Sequence, residues 1–275
     1  MFFGSEVRVS SIAGCLSGAR HVLFLAACCT LPASFATASR IAGADFLRIQ
    51  TSPRGLALGE AYVALSDDAS ALRWNPAGMV LGTLSHAEFT HVESYAGFRM
   101  ENLVWTVPTS KKNALGLGLL LFTVADLFDT DEYGFSKAAH AHDFVGTLSY
   151  ARRLGPGLGA GINVKVYQSE LVGSVAEGGA VDLGLLWAWR HGLRFGAALH
   201  NLGPDIVYDQ LGDPLPRWLK AGAARTFHVA RGQDLILTGE ADLAVAHRAD
   251  PWLGFGMEYS LGGRVQIRGG YSAAG

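Results

Sequence analysis

The chain has 275 residues, with 22 basic and 24 acidic side chains and a formal net charge of −2, a balance that carries no electrostatic footprint for nucleic acid. Charged residues make up only 17% of it and Gly is abundant at 35, against about 25% charged residues in ordinary soluble domains. Mean hydropathy is +0.22, yet beyond the leader no apolar run reaches the roughly 18 residues of a membrane helix, which leaves a soluble β protein or a membrane β-barrel.

The first residues read as an export signal. Arg8, Arg20 and His21 precede the apolar segment Val22–Leu31, then come Pro32 and the small-x-small pattern Ala36-Thr37-Ala38. This predicts a signal peptide over 1–38 and a mature start near Ser39; a buried N-terminal helix is the alternative. Leu25-Ala26-Ala27-Cys28 also resembles a lipoprotein cleavage box, although the apolar run before the cysteine is short. All three cysteines (Cys15, Cys28 and Cys29) lie in the leader. The mature chain is therefore expected to hold no disulfide, thiol nucleophile or cysteine-based zinc site.

Residues 39–82 form the next unit. Phe46, Leu47, Leu56, Leu58, Tyr62, Val63 and Leu65 give a mixed apolar face broken by Gly55 and Gly59. Ser66-Asp67-Asp68-Ala69-Ser70 reads as a turn or helix N-cap, where acids suit the N-terminal dipole. Ala69–Trp74 fits one helical turn, and Asn75-Pro76 stops it because a residue before proline avoids the α region. Nothing here reads as a nucleophile with a base.

The run GEAYVALSDDASALRWNPAGM resembles the N-terminal signature of the PorV/PorQ-like family of outer-membrane proteins, within the wider FadL-like group of hydrophobic-compound transporters. Matching positions are Arg54, Gly59, Ala61, Ala64, Asp67, Asp68, Ala69, Ala71, Trp74, Asn75, Pro76, Ala77 and Gly78. The resemblance implies a hatch folded inside an antiparallel barrel of about fourteen strands. It implies that Arg54, Gly59, Asp67, Asp68, Trp74, Asn75 and Pro76 hold or gate that hatch. Capping and turn formation alone select the same residue types at Asp67, Asp68 and Asn75.

From Leu84 onward the chain falls into segments of about ten residues, the length of a membrane-crossing strand. Strands are expected near 84–93, 97–108, 113–124, 142–153, 157–169, 179–190, 193–202, 217–229, 234–246, 251–261 and 263–271. Period-two alternation decides the assignment. In 181–190, Val181, Leu183, Leu185, Trp187 and Trp189 oppose Asp182, Gly184, Leu186, Ala188 and Arg190. In 253–261, Leu253, Phe255, Met257, Tyr259 and Leu261 oppose Gly254, Gly256, Glu258 and Ser260. Trp187, Trp189, Trp218, Trp252 and Tyr259 fall near strand ends, where aromatic girdles sit. Short connections alternate with longer ones at 128–141, 172–178 and 203–217.

Lys165, Arg190, Arg194, Arg264 and Arg268 are candidates to line the lumen opposite Asp182, Glu240, Asp242 and Glu258, either pairing to fill it or forming a path for a solute. The acidic loop Asp126, Asp129, Asp131 and Glu132 lacks EF-hand spacing, and His140-x-His142 with His86 or His91 is a thin metal motif. Gly155-Pro-Gly-x-Gly-x-Gly161 has no following helix and fails as a dinucleotide loop. No metal, cofactor or catalytic residue is assigned, and an enzyme is not expected.

The expected fold is thus an all-β antiparallel transmembrane barrel: hatch over 39–82, barrel over 83–275. Only about eleven strands are visible, so relative to the family the chain is expected to be either C-terminally incomplete or degenerate. The resemblance implies location in the outer membrane of a Gram-negative-type bacterium, with lipid as surroundings. It implies either type IX-like handling of exported cargo with secretion-apparatus proteins, or passive uptake of hydrophobic small molecules. A soluble secreted β-sandwich that binds a ligand is the alternative from another class.

Overall fold

The computed structural model describes residues 42–82, 84–94, 97–130, 134, 136–209, 211–245 and 249–274. The leader expected over 1–38 lies outside them, as does the start of the hatch unit. Eleven strands form one antiparallel sheet: β1 (His86–Glu93), β2 (Phe98–Pro108), β3 (Asn113–Thr130), β4 (Ser136–Gly155), β5 (Leu158–Leu171), β6 (Ser174–Ala188), β7 (Leu193–Leu202), β10 (Trp218–Ala230), β11 (Gln233–Ala244), β12 (Trp252–Leu261) and β13 (Val265–Ala274). Each pairs with its sequence neighbours, and β7 pairs with β10 across a loop that carries the small hairpin β8 (Ile206–Tyr208) and β9 (Leu211–Asp213). Every strand expected from alternation is present. The differences are in the connections. β3 and β4 run on into the stretch read as a long loop over 128–141. The expected loop over 172–178 is a two-residue turn, because β6 begins at Ser174.

Alternation fixes which face meets which medium. On β3, Leu115, Leu117, Leu119 and Leu121 are 39–50% exposed, while Ala114 and Leu120 are at most 1% exposed. The exposed face is the apolar one, as lipid requires, and the buried face carries the ions. A β-sandwich would turn its apolar face inward against a second large sheet; here one sheet wraps a plug instead. No helix among the described residues is long and apolar enough to cross a membrane; the wall crosses with strands. β1 and β13 are the first and last of eleven alternating strands. They therefore run in the same direction, and neither has a partner on its outer edge among the described residues.

The plug is residues 42–82. It contains a 3-10 turn (Asp45–Arg48), α1 (Pro53–Ala57), α2 (Ala71–Trp74) and a second 3-10 turn (Pro76–Val80). Leu58, Tyr62, Val63, Leu65, Leu72 and Trp74 are at most 1% exposed. Burying a large apolar side chain of this kind contributes about 1.5–3 kcal/mol, so the plug is held as firmly as an ordinary core. Phe46 and Leu47 pack with Met100, Leu120, Val145, Ile206 and Leu215, near the loop that carries β8 and β9. Leu72, Met79 and Val80 pack at the opposite end with Val104, Ala114 and Ala151. The plug thus runs the length of the lumen and delivers the chain to β1.

Candidate functional site

Three polar knots fasten the plug to the wall. The first is built on Arg54, placed on α1 by the Ser52 N-cap and Pro53 at the first helical position. Its Nε donates to Glu258 Oε2 at 2.8 Å, and another guanidinium nitrogen donates to Asp67 Oδ1 at 2.8 Å. Arg194 reaches Asp67 Oδ2 at 2.7 Å, and Arg268 reaches Glu258 Oε2 at 2.6 Å. The result is one alternating chain, Arg268–Glu258–Arg54–Asp67–Arg194, with its middle on the plug and its ends on β13, β12 and β7. Burial works against the Arg54 charge, but Tyr62, Glu258 and Asp67 outweigh it and hold the guanidinium above its usual range. Burial would likewise raise Asp67, yet Arg54 and Arg194 hold its carboxyl below the usual value.

The second knot is Glu240 on β11. One of its oxygens accepts the backbone N–H groups of both Tyr62 and Val63 at 2.6 Å. Lys220 on β10 donates to Glu240 at 3.2 Å and to Asp242, and Thr238 donates to the Ala61 carbonyl at 2.9 Å. The third centres on Asp182 of β6, which is fully buried. Lys165 lies 2.7 Å away, and Asn163 Nδ2 and the Asn201 backbone N–H each donate at 2.8 Å. A bulge makes this possible: His200 and Asn201 together oppose Asp182, and Asn201 takes φ 59°, a region that asparagine tolerates. Asn163 also donates to the Leu72 carbonyl at 2.7 Å, and His200 Nε2 lies 3.1 Å from the Trp74 carbonyl.

Asn75 joins plug and wall at the centre. Its amide donates to the Val63 and Leu185 carbonyls at 2.9 Å each, while Oδ1 accepts the Ala77 N–H at 3.2 Å. Pro76 starts the second 3-10 turn and lies against Gly161 and Gly184, where a Cβ would come within 2.4 Å of plug atoms. Asp68 both accepts from the Ser70 N–H at 3.0 Å and receives the Tyr62 hydroxyl at 2.6 Å. Trp74 is fully buried, edge-on to Tyr62 at 5.6 Å, with Lys220 over its ring at 5.2 Å. Gly59 takes φ +63° beside the Tyr271 and Phe255 backbones.

Of the lumen candidates, the structure brings Lys165, Asp182, Arg194, Glu240, Asp242, Glu258 and Arg268 together around the plug. It does not bring in Arg190 and Arg264, which lie exposed in turns at strand ends. Two aromatics expected in a girdle also differ. Trp218 is 5% exposed, and with Trp252 it lines the lumen mouth, whereas Trp187 and Trp189 stay on the outer face. Lys220, Asn163, His200, Asn201 and Tyr62 were not among the hatch or lumen candidates drawn from the sequence. The alternation did carry a signal for Asn163 and His200, which share the inward parity of Lys165 and Arg194. Among the described residues no cluster of three or more His, Cys, Asp or Glu side chains is arranged to hold a metal. The side chains of the acidic loop at 126–132 lie outside the described residues.

Lipid-length strands, an apolar outer face and a polar lumen closed by a pinned segment define a transmembrane β-barrel with an internal hatch. The same fold occurs in the toluene transporter TodX of Pseudomonas putida, at a TM-score of 0.58 and 13% identity, over 82% of this chain and 83% of that one. It occurs in the toluene transporter TbuX of Ralstonia pickettii, at 0.52 and 14% over 82% and 86%. A FadL homologue of Pseudomonas aeruginosa gives 0.52 and 11% over 81% and 79%. The fold is therefore that of the wider FadL-like barrel group. No protein-family model matches the sequence. A UPF0164 protein of Treponema pallidum (strain Nichols) is 29% identical over 168 residues, 59% of this chain and 42% of that protein's length.

Proposed function

We propose that this chain moves hydrophobic small molecules passively across an outer membrane, with displacement of the 42–82 hatch as the gating step. The observation that carries the reading is how the hatch is held: by ion pairs and hydrogen bonds to lumen side chains, which exchange for water without covalent change. The FadL-like fold supports it, and two of the similar structures are toluene transporters. Lipid contacts the apolar outer face.

The test is uptake of radiolabelled toluene by cells expressing the full chain, beside vector-only cells and a Glu240→Ala variant. Uptake above the vector level, raised further in the variant, supports the proposal; uptake at vector level in both overturns it. A second reading rests on the signature over 54–78, which resembles PorV/PorQ-like proteins: cargo handling at the cell surface beside a secretion apparatus. Co-purification of exported cargo with the chain, in place of solute uptake, favours it.

A further inference from the structure

Arg73, on α2, differs from most of the lumen cations, and unlike Arg153, which bonds the Val80 carbonyl and also lacks a carboxylate partner, it lines a cavity. Lys165, Lys220, Arg54, Arg194 and Arg268 each have a carboxylate partner. Arg73 makes no salt bridge among the described residues. One guanidinium nitrogen donates to the Ile49 carbonyl at 3.1 Å, and its Nε is shut off from solvent with no partner. Burial accordingly pushes its pKa down to about 10, with Asp182 offsetting only part of the shift. A guanidinium buried without a counter-charge is costly, and so is each orphaned N–H.

Arg73 lines a cavity of about 50 Å³ at the end of the lumen that carries the β8–β9 loop. Lys165, Lys220 and Trp252 share that lining, and the Trp252 indole N–H is a second buried donor without a partner. Glu60 and Asp242 also face the cavity. Asp242 is matched by Lys220, and Asp182 on the inner face of β6 is matched by Lys165 and sits beside His200. Two acceptors, Gln50 Oε1 and Asp242 Oδ1, are unpartnered too, which calls for water beside whatever binds.

We propose that this cavity is a binding site for a small monovalent anion of halide size, carried with its water and held against the Arg73 guanidinium, with Arg73 and Trp252 adjusting on binding so that the Arg73 Nε–H and the Trp252 indole N–H turn toward the ion. Occupancy neutralises Arg73 and fastens α2 between the plug's Ile49 segment and the wall. The proposal stands whether or not the chain transports an apolar solute.

The test is thermal unfolding of the detergent-folded full chain, read by heat-modifiability, in bromide replaced stepwise by the bulkier isethionate at constant ionic strength. Bromide is expected to raise the midpoint saturably, by about 2–4 °C. Arg73→Met abolishes the rise. Trp252→Phe, which keeps an aromatic ring and loses the N–H, shifts half-saturation several-fold higher and covers the case in which Arg73→Met fails to fold. A rise that does not saturate, or is unchanged in every folded variant, is a general salt effect and overturns the proposal, as does no rise at all.

Discussion

Glu240 takes the backbone N–H of Tyr62 at 2.6 Å, and with the same oxygen it takes the next N–H, that of Val63. A wall carboxylate thereby serves as the acceptor that Val63 lacks within the plug, and as a shorter partner for the Tyr62 N–H than the Glu60 carbonyl at 3.1 Å. Glu240→Ala removes that acceptor, leaves the buried Val63 N–H unmatched at about 1–3 kcal/mol, and leaves the Tyr62 N–H with only the Glu60 carbonyl. The expected outcome is a plug that opens more often while the wall stays folded. Single-channel recording in planar bilayers should show longer or more frequent openings, with heat-modifiability retained. A wholly unfolded variant, or conductance equal to the parent, would count against this role.

Asn75 makes three hydrogen bonds that span both halves of the plug and reach β6. Asp68 ties Tyr62 to the Ser70 turn. The double change Asn75→Ala with Asp68→Ala is expected to loosen the hatch and raise permeability, through the loss of several buried bonds worth about 1 kcal/mol each. The check is conductance against each single variant. Effects of Asn75→Ala alone should exceed those of Asp68→Ala, since Asp68 is partly exposed and can rebond to water.

The strands were legible because the lipid-facing side must be apolar at every second residue, a constraint with few exceptions along Leu115–Leu121 or Leu253–Leu261. The plug was legible as a unit only through its resemblance to a known signature. Its geometry has no periodicity: the chain turns at Gly59, Asn75 and Pro76 and takes its partners from residues more than a hundred positions away, as Arg54 does with Glu258. The knots were half visible. Charges at inward parity could be read as lumenal, but which met which depended on registers such as Lys220↔Asp242 and on the bulge at His200 and Asn201. Arg190 and Arg264 were misleading because strand parity carries on into turns where it no longer points anywhere. Trp218 and Trp252 misled for a related reason: nearness to a strand end does not distinguish the lumen mouth from the lipid girdle.

Glycines on the wall mark where the plug lies against it. A Cβ at Gly184 would come 2.3 Å from Asn75 Oδ1, whereas one at Gly269 would meet nothing within 4 Å. Gly184→Ala is therefore expected to displace Asn75 and Pro76 and destabilise by about 1–3 kcal/mol, as overpacking does. Gly269→Ala should stay within about 0.5 kcal/mol of the parent. Urea midpoints of heat-modifiable protein in detergent would check the pair. Equal midpoints would mean that the plug does not rest on β6 at this position.

Asp67 predicts an acid limit for the hatch. Burial alone would raise its pKa, but Arg54 and Arg194 hold it below the ordinary 3.8. A carboxyl whose pKa is lowered by folding contributes stability that is fully present above the unfolded value. That contribution is lost as pH falls through the folded one. The plug should therefore be indifferent to this group near neutrality and should weaken below about pH 4, as protonation of Asp67 breaks the centre of the Arg268–Glu258–Arg54–Asp67–Arg194 chain. In Asp67→Asn the contribution is absent at every pH, so the variant should open more readily at pH 7 and show a shallower acid limb. Protease accessibility of residues 42–82, measured from pH 7 down to pH 3 for parent and variant, tests this. Parallel curves with a constant offset would show that some other carboxyl, such as Glu258, sets the acid limit.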